Sequence, residues 1–260
     1  MDYKAVADHI TSWLGDYLAE SGTKGFVVGV SGGIDSAVSS ELAARTGAPV
    51  LCVEMPIYQA ESQVNRAVKH MEYLQEKYSN VSIERVELTG VFDSFLNAVP
   101  KVSDDQDTGL TLANVRARVR MTTLYYFAGL QGSLVVGTGN KIEDFGIGFY
   151  TKYGDGGVDL SPIADLTKTE VYALGAELGI IEDIMNAPPT DGLWGDDRTD
   201  EDQIGASYPE LEWAMDFSGD ESTLSDRQKE VLGIYRRLNR ANTHKMVPIP
   251  VCTIPDSLRS

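Results

Sequence analysis

The sequence predicts an α/β protein, a doubly wound parallel sheet flanked by helices with further helices at its C-terminal end. Three observations carry this expectation. The run at residues 26–30 is short and continuously apolar, the pattern of a strand buried on both faces, and further strand candidates follow at residues 50–53, 81–86 and 134–136. Helical stretches long enough for a crossover lie between them, at residues 35–46, about 60–78, about 90–99 and 108–129. Right-handed crossovers then put helices on both faces, and a ligand belongs at the carboxyl ends of the strands.

Taken in order, Val6, Ile10, Trp13, Leu14, Tyr17 and Leu18 recur at helical steps and predict an amphipathic helix ending near Ser21 and Gly22. Gly25 and the turn Ser31, Gly32, Gly33 bound the first strand. Residues 137–160 are rich in glycine and aromatics without a clear period, which predicts an ordered loop around a site. Thr167 as N-cap with Glu170 three residues on predicts a helix reaching Gly179. Residues 186–203 combine Pro188, Pro189, Gly192 and Gly195 with a dense acidic set, the composition of a mobile loop. Two last helices, about 207–216 and 225–240, precede the tail VPIPVCTIPDSLRS.

Composition narrows the function. With 22 Lys+Arg against 39 Asp+Glu the formal net charge is −17, opposite to the excess of cations a nucleic-acid partner requires. An anionic ligand must therefore be held by a local basic cluster. Two cysteines, Cys52 and Cys252, exclude a disulfide framework, and Cys52 inside an apolar strand reads as packing. With no CxxC pair and only His9, His70 and His244, no zinc cluster of the usual spacing can form. No stretch approaches the roughly 18 apolar residues of a membrane span. The opening residues lack an apolar leader core. The expectation is a cytoplasmic protein with neither membrane nor nucleic-acid partners.

The strongest chemical signal is VVGVSGGIDSAVSS, residues 27–40, where a buried strand runs through SGG into a helix. Gly32 and Gly33 are open to dihedrals closed to other residues, and the helix start aims amide groups and a positive dipole end at an anion. Ser31 and Ser36 add hydroxyls. Asp35 puts a carboxylate where an anion would bind, which is explained if a divalent cation stands between them. The same residues also read as a glycine turn with an ordinary helix cap. Neither GxxxxGK[ST] nor GxGxxG is present, disfavouring a Walker-type NTPase and a dinucleotide-binding dehydrogenase.

SGGIDS after the first strand resembles the pyrophosphate loop of N-type ATP pyrophosphatases. ANVRARVRM, GTGNKIE, GFYTKYGDGGVDLSPIADLTKTEV, the PPT before Asp191 and the late THK resemble, in order, the motifs of NAD synthetases. The resemblance implies an adenine nucleotide alpha hydrolase-like fold, with one synthetase domain over residues 1–260, a pyrophosphatase core at about 22–180 and C-terminal loop and helices at about 181–260. It implies an ATP loop of Gly29, Val30, Ser31, Gly32, Gly33, Ile34, Asp35 and Ser36. Thr138, Lys168 and Thr190 would contact ATP too, and Asp35 and Glu143 would hold Mg2+. Arg118, Lys152, Asp159, His244 and Lys245 would bind deamido-NAD. Taken alone, Glu143 is also a helix-start carboxylate, Lys168 a first-turn charge, Arg118 part of a solvated helix face and His244 a surface residue.

The implied reaction is amidation in two steps, adenylation of the nicotinate carboxylate by ATP and displacement of AMP by ammonia. Asp35, Glu143 and Lys168 are the implied catalytic groups. Glutamine-using relatives carry an added nitrilase-like domain, so free ammonia is the expected donor. Ile34 and GTGNKIE nevertheless resemble that branch, the ammonia-dependent bacterial pattern being GTDHAAE, and a separate glutaminase partner stays open. The family also implies a homodimer, with Leu112, Val115 and Val119 as candidate contact or core face. The rival readings are a GMP-synthetase-like amidation, a tRNA-modifying adenylating enzyme and a non-catalytic nucleotide-binding module.

Overall fold

The computed structural model describes residues 1–100, 108–190 and 199–259. Four parallel strands, β1 (Phe26–Gly29), β2 (Val50–Glu54), β3 (Val81–Arg85) and β4 (Leu134–Val136), form one sheet in the order β3-β2-β1-β4. Phe26 pairs with Val50 on one side and Leu134 on the other. The chain thus winds outward from β1 through β2 to β3, then returns to β4 on the opposite side of β1. The point of reversal lies between the carboxyl ends of β1 and β4, where ligands bind in folds of this kind.

Alternation along the strands divides the core between two faces. Phe26, Val28, Val50 and Cys52 point to the side covered by α1 (Tyr3–Ser21), α2 (Ile34–Arg45), α3 (Glu61–Lys77) and α6 (Lys168–Leu178). Val27, Leu51, Val53 and Val135 point to the side covered by α4 (Thr89–Ala98) and α5 (Gly109–Gln131). Burial pushes the Cys52 thiol up to about 12, so it packs rather than reacts. A third apolar cluster joins a π-helical segment (Ile142–Ile147) to α9 (Tyr208–Asp216) and α10 (Asp226–Met246). No described helix is long and apolar enough to cross a membrane.

Several expectations need correction. The third strand ends at Arg85 and not at residue 86, and within it only Val81 is buried, because β3 is the sheet's edge. The region expected as an ordered loop contains the π-helical segment, whose Ile142 and Ile147 are fully buried. At the ends of the expected 186–203 loop stand α7 (Glu182–Met185) and α8 (Asp200–Ile204), the latter opened by a Thr199–Asp202 capping box. Residues 191–198 lie outside the described ones. Helix α10 runs to Met246, bringing His244 and Lys245 into its last turn. Leu112, Val115 and Val119 pack on the sheet's own core, whereas Leu110, Tyr126 and Leu130 are the most exposed large apolar residues of α5.

A buried histidine ties α3 to α2. His70 Nε2 lies 3.1 Å from Ser40 Oγ, which also meets the carbonyls of Ser36 and Ala37, while Nδ1 has no hydrogen-bond partner among the described residues. Burial holds the imidazole down at about 4, so it is neutral when folded. The unfolded chain takes up that proton near pH 6.5, hence stability is full above this value and declines as pH falls toward 4. Between pH 7 and 5 this one group is expected to cost about 2 kcal/mol. Equilibrium denaturation of the wild type and of His70→Gln at both pH values checks it; equal pH slopes would refute the assignment.

Candidate active site

The loop from β1 into α2 owes its shape to one glycine and one serine. Gly32 has φ +83°, and a Cβ there would lie 2.6 Å from the Gln63 carbonyl oxygen. Gly33, by contrast, has φ −95° and ψ 163°, open to any residue, so only the first of the two glycines is conformationally required. Ser36 Oγ donates to the Gly33 carbonyl at 3.0 Å and accepts from the Ser31 amide at 3.2 Å. Arg66 Nε donates to the Gly32 carbonyl. The first backbone bond of α2 runs from Ala37 to Gly33, so the amides of Ile34, Asp35 and Ser36 remain for an incoming acceptor.

Beside this helix start lies a cavity of about 260 Å³ at the reversal point of the sheet. It gathers Gly29, Val30, Ser31, Gly33, Ile34, Asp35 and Ser36 with Thr138, Glu143, Lys168 and Thr190, every member of the expected nucleotide set except Gly32. Gly137 must be glycine for this packing, since a Cβ would lie 2.9 Å from Val158 Cγ2 and 3.0 Å from the Leu160 carbonyl oxygen.

At the cavity's polar end, charges are concentrated. Lys168 Nζ, only 4% exposed, contacts Asp35 Oδ2 at 2.6 Å and Glu143 Oε1 at 2.9 Å. Burial alone would lower the lysine's pKa, but the two carboxylates outweigh it and raise it above the usual lysine range. Asn140 Nδ2 donates to Asp35 Oδ1 at 3.0 Å, and the Tyr208 hydroxyl donates to Glu143 Oε1 at 2.5 Å. Tyr208 also lies 3.3 Å from Asp200 Oδ2 and beneath the Lys168 ammonium. The capping box of Thr167 and Glu170 fixes the start of α6 and aims Lys168 into this cluster.

The expected acceptor set divides. Arg118 donates to the Lys152 carbonyl at 3.3–3.4 Å, and Lys152 Nζ donates to the His244 carbonyl at 2.7 Å, so these three form one surface. Lys245 Nζ donates to the carbonyls of Gly148 and Tyr150, both at 2.8 Å, and burial lowers its pKa. It borders a second cavity of about 140 Å³ that shares Gly137, Asp155 and Val158 with the first. Asp159 stands apart, accepting from the Val135 amide at 2.8 Å and the Tyr125 hydroxyl at 3.0 Å. None of Arg118, Lys152, Asp159 and His244 lines either cavity.

Four site residues went unread in the sequence. Tyr208 sits between the N-cap Ser207 and Pro209, where nothing local marks it as polar-facing. Asn140 and Asp144 lie within GTGNKIE and its continuation, and Asp155 within TKYGDGG; those segments were the available signal. Burial, then the charges of Glu143, Asp155 and Asp35, push the Asp144 carboxyl up to about 8. A Cβ at Gly139 would collide with the Asp144 carboxylate.

A doubly wound sheet with an amide-lined helix start, a buried ammonium and two carboxylates at its reversal point defines the class of nucleotide-binding α/β enzymes. The family model for NAD synthase matches residues 6–246, and the chain belongs to that family. An NH(3)-dependent NAD(+) synthetase of Alkaliphilus metalliredigens is 38% identical over 258 residues, 98% of this chain and 100% of the relative. Among solved structures, an NMN synthetase from Francisella tularensis has TM-score 0.84 at 28% identity, covering 98% of this chain and 99% of its own. An NH3-dependent NAD synthetase from Campylobacter jejuni has TM-score 0.76 at 25% identity, covering 97% and 100%.

Proposed function

We propose that the protein is a ligase that amidates deamido-NAD with ammonia at the expense of ATP, releasing NAD, AMP and pyrophosphate. The observation that supports this most is the convergence of the α2 amides, Lys168, Asp35 and Glu143 on one cavity. A nicotinate carboxylate oxygen attacks the α-phosphorus of ATP, and the bond from that phosphorus to the bridging oxygen breaks, releasing pyrophosphate. Ammonia then attacks the acyl carbon of the adenylate; AMP leaves with the former carboxylate oxygen, and the nitrogen loses a proton.

In this reading the loop Gly29 to Ser36, with Thr138, Lys168 and Thr190, holds the nucleotide. Bringing two anions together is largely a matter of positioning and charge compensation. Asp35 and Glu143 already share one cation, the Lys168 ammonium, and two hard carboxylates with phosphate and water completing the shell is the magnesium pattern. Magnesium there would neutralise charge on the departing pyrophosphate.

Arg118, Lys152, His244 and Lys245 supply the cationic surface for the acceptor, with Asp159 fixing β4 against α5 at its margin. Residues 22–180 act as the adenylating core and 181–260 complete the site through Tyr208 and Lys245. A cytoplasmic homodimer fits the reading, with the outward Leu110, Tyr126 and Leu130 of α5 as its contact. Free ammonia is the donor, a separate glutaminase being the other route.

The resemblance to an NMN synthetase favours a second reading in which the shorter mononucleotide is the acceptor. Incubation with ATP, Mg2+ and ammonium, offering deamido-NAD, nicotinate mononucleotide, xanthosine monophosphate or no acceptor, distinguishes them. The expected result is fastest AMP formation with deamido-NAD. Preference for the mononucleotide would move the assignment to the second reading, and xanthosine monophosphate as sole acceptor would end both.

A further inference from the structure

Asn140 is fully buried and each polar atom of its side chain has a partner. Its Oδ1 accepts from the amides of Ile142 and Glu143, both at 3.1 Å, and its Nδ2 donates to Asp35 Oδ1 at 3.0 Å. Only one orientation of the amide satisfies all three, because the oxygen must face two N–H donors and the nitrogen a carboxylate. Its backbone is fixed as well. The Asn140 carbonyl accepts from the Asp144 amide at 2.9 Å, and the next residue, Lys141, donates its amide to Leu166 at 2.8 Å.

One side chain therefore touches both carboxylate-bearing elements, α2 through the Asp35 side chain and the π-helical segment through the Glu143 main chain. Holding a helix start would need only the oxygen. The nitrogen does something a cap does not, since it draws Asp35 toward the segment that carries Glu143. Lys168 also spans the two carboxylates, but as a charge that can be exchanged for another cation. Asn140 itself is uncharged, so its links do not depend on which cation is present.

We propose that Asn140 is a positioning residue that sets the spacing of the Asp35 and Glu143 carboxylates around their shared cation. This rests on the reading of those two residues as the cation-holding pair. Serine and threonine are good caps, able to accept the amides two and three residues on, but too short to replace the link to Asp35. Asn140→Ser and Asn140→Thr thus keep the cap and cut the link.

Two quantities are to be measured for wild type and both variants. One is the Mg2+ concentration giving half-maximal turnover at saturating ATP. The other is calorimetric binding of Mg2+ with α,β-methylene-ATP, a readout independent of turnover. The expected result is a rise of about tenfold or more in the Mg2+ requirement in both measurements, with kcat lowered more than the KM for ATP is raised and the thermal midpoint close to wild type. A folded variant with an unchanged Mg2+ requirement overturns the proposal, and so does loss of folding in both variants, which would make the Asn140–Asp35 link a structural tie of the fold. Failure of the underlying reading has a separate signature: Asp35→Asn with a normal rate.

Discussion

Asp35→Asn is expected to lower kcat by about 100- to 1000-fold, the range seen when one preorganised charge-stabilising group is removed from an active site. Asparagine keeps the shape and can still accept from Asn140 through its oxygen. Its amide nitrogen, however, would face the Lys168 ammonium, donor against donor, and the anion that shares that cation is gone. Turnover should fall far more than the KM for ATP rises, because the α2 amides still bind phosphate. The larger truncation, Asp35→Ala, would spare the fold if Asp35 were only a metal ligand on a loop. The structure modifies that expectation, since Lys168 is 4% exposed and would lose one of two counter-ions. Steady-state kinetics with a parallel thermal melt separates the two effects; a near-normal rate removes Asp35 from the mechanism.

Lys168→Met is expected to have the largest effect on stability and to abolish turnover. It leaves the Asp35 and Glu143 carboxylates converging on an empty position with no cation between them. Breaking a buried ionic set by removing one partner costs about 3–5 kcal/mol. The loss should appear in urea denaturation of the metal-free protein and be partly recovered by millimolar Mg2+, which replaces the missing charge. Wild type, whose carboxylates already have a cation, should gain less from Mg2+. Equal Mg2+ stabilisation of both proteins would argue against a shared cation position.

Elements governed by local chemistry were legible in the sequence. The strands declared themselves by apolar runs, and α6 by a capping box found as expected. Helix α1 stops where Gly22 takes φ +67°. The proposed nucleotide loop could be read because strand, glycine turn and helix start are consecutive in the chain. What could not be read depends on distant segments meeting. Tyr208 reaches Glu143 across 65 positions, and Asn140 reaches Asp35 across 105. The π-helical segment has no periodic signature of its own, being held by α9 and α10 packed against it. Likewise the place of β3 at the edge of the sheet is decided by strand order, which no local pattern records.

The proposed acceptor residues show the same limit. Arg118, Lys152 and His244 come together through bonds to backbone carbonyls, and those depend on the full length of α10. A helix ended at residue 240, as its polarity suggests, would have left His244 and Lys245 without a scaffold.

The most direct measurement of the chemistry is the fate of oxygen. With deamido-NAD labelled with 18O in both nicotinate carboxylate oxygens, attack on the α-phosphorus transfers one labelled oxygen to AMP and retains the other in the amide of NAD. Mass spectrometry of the products is expected to find one 18O in each AMP formed and none in pyrophosphate. Unlabelled AMP, or label in inorganic phosphate accompanied by ADP, would contradict adenylation at this site.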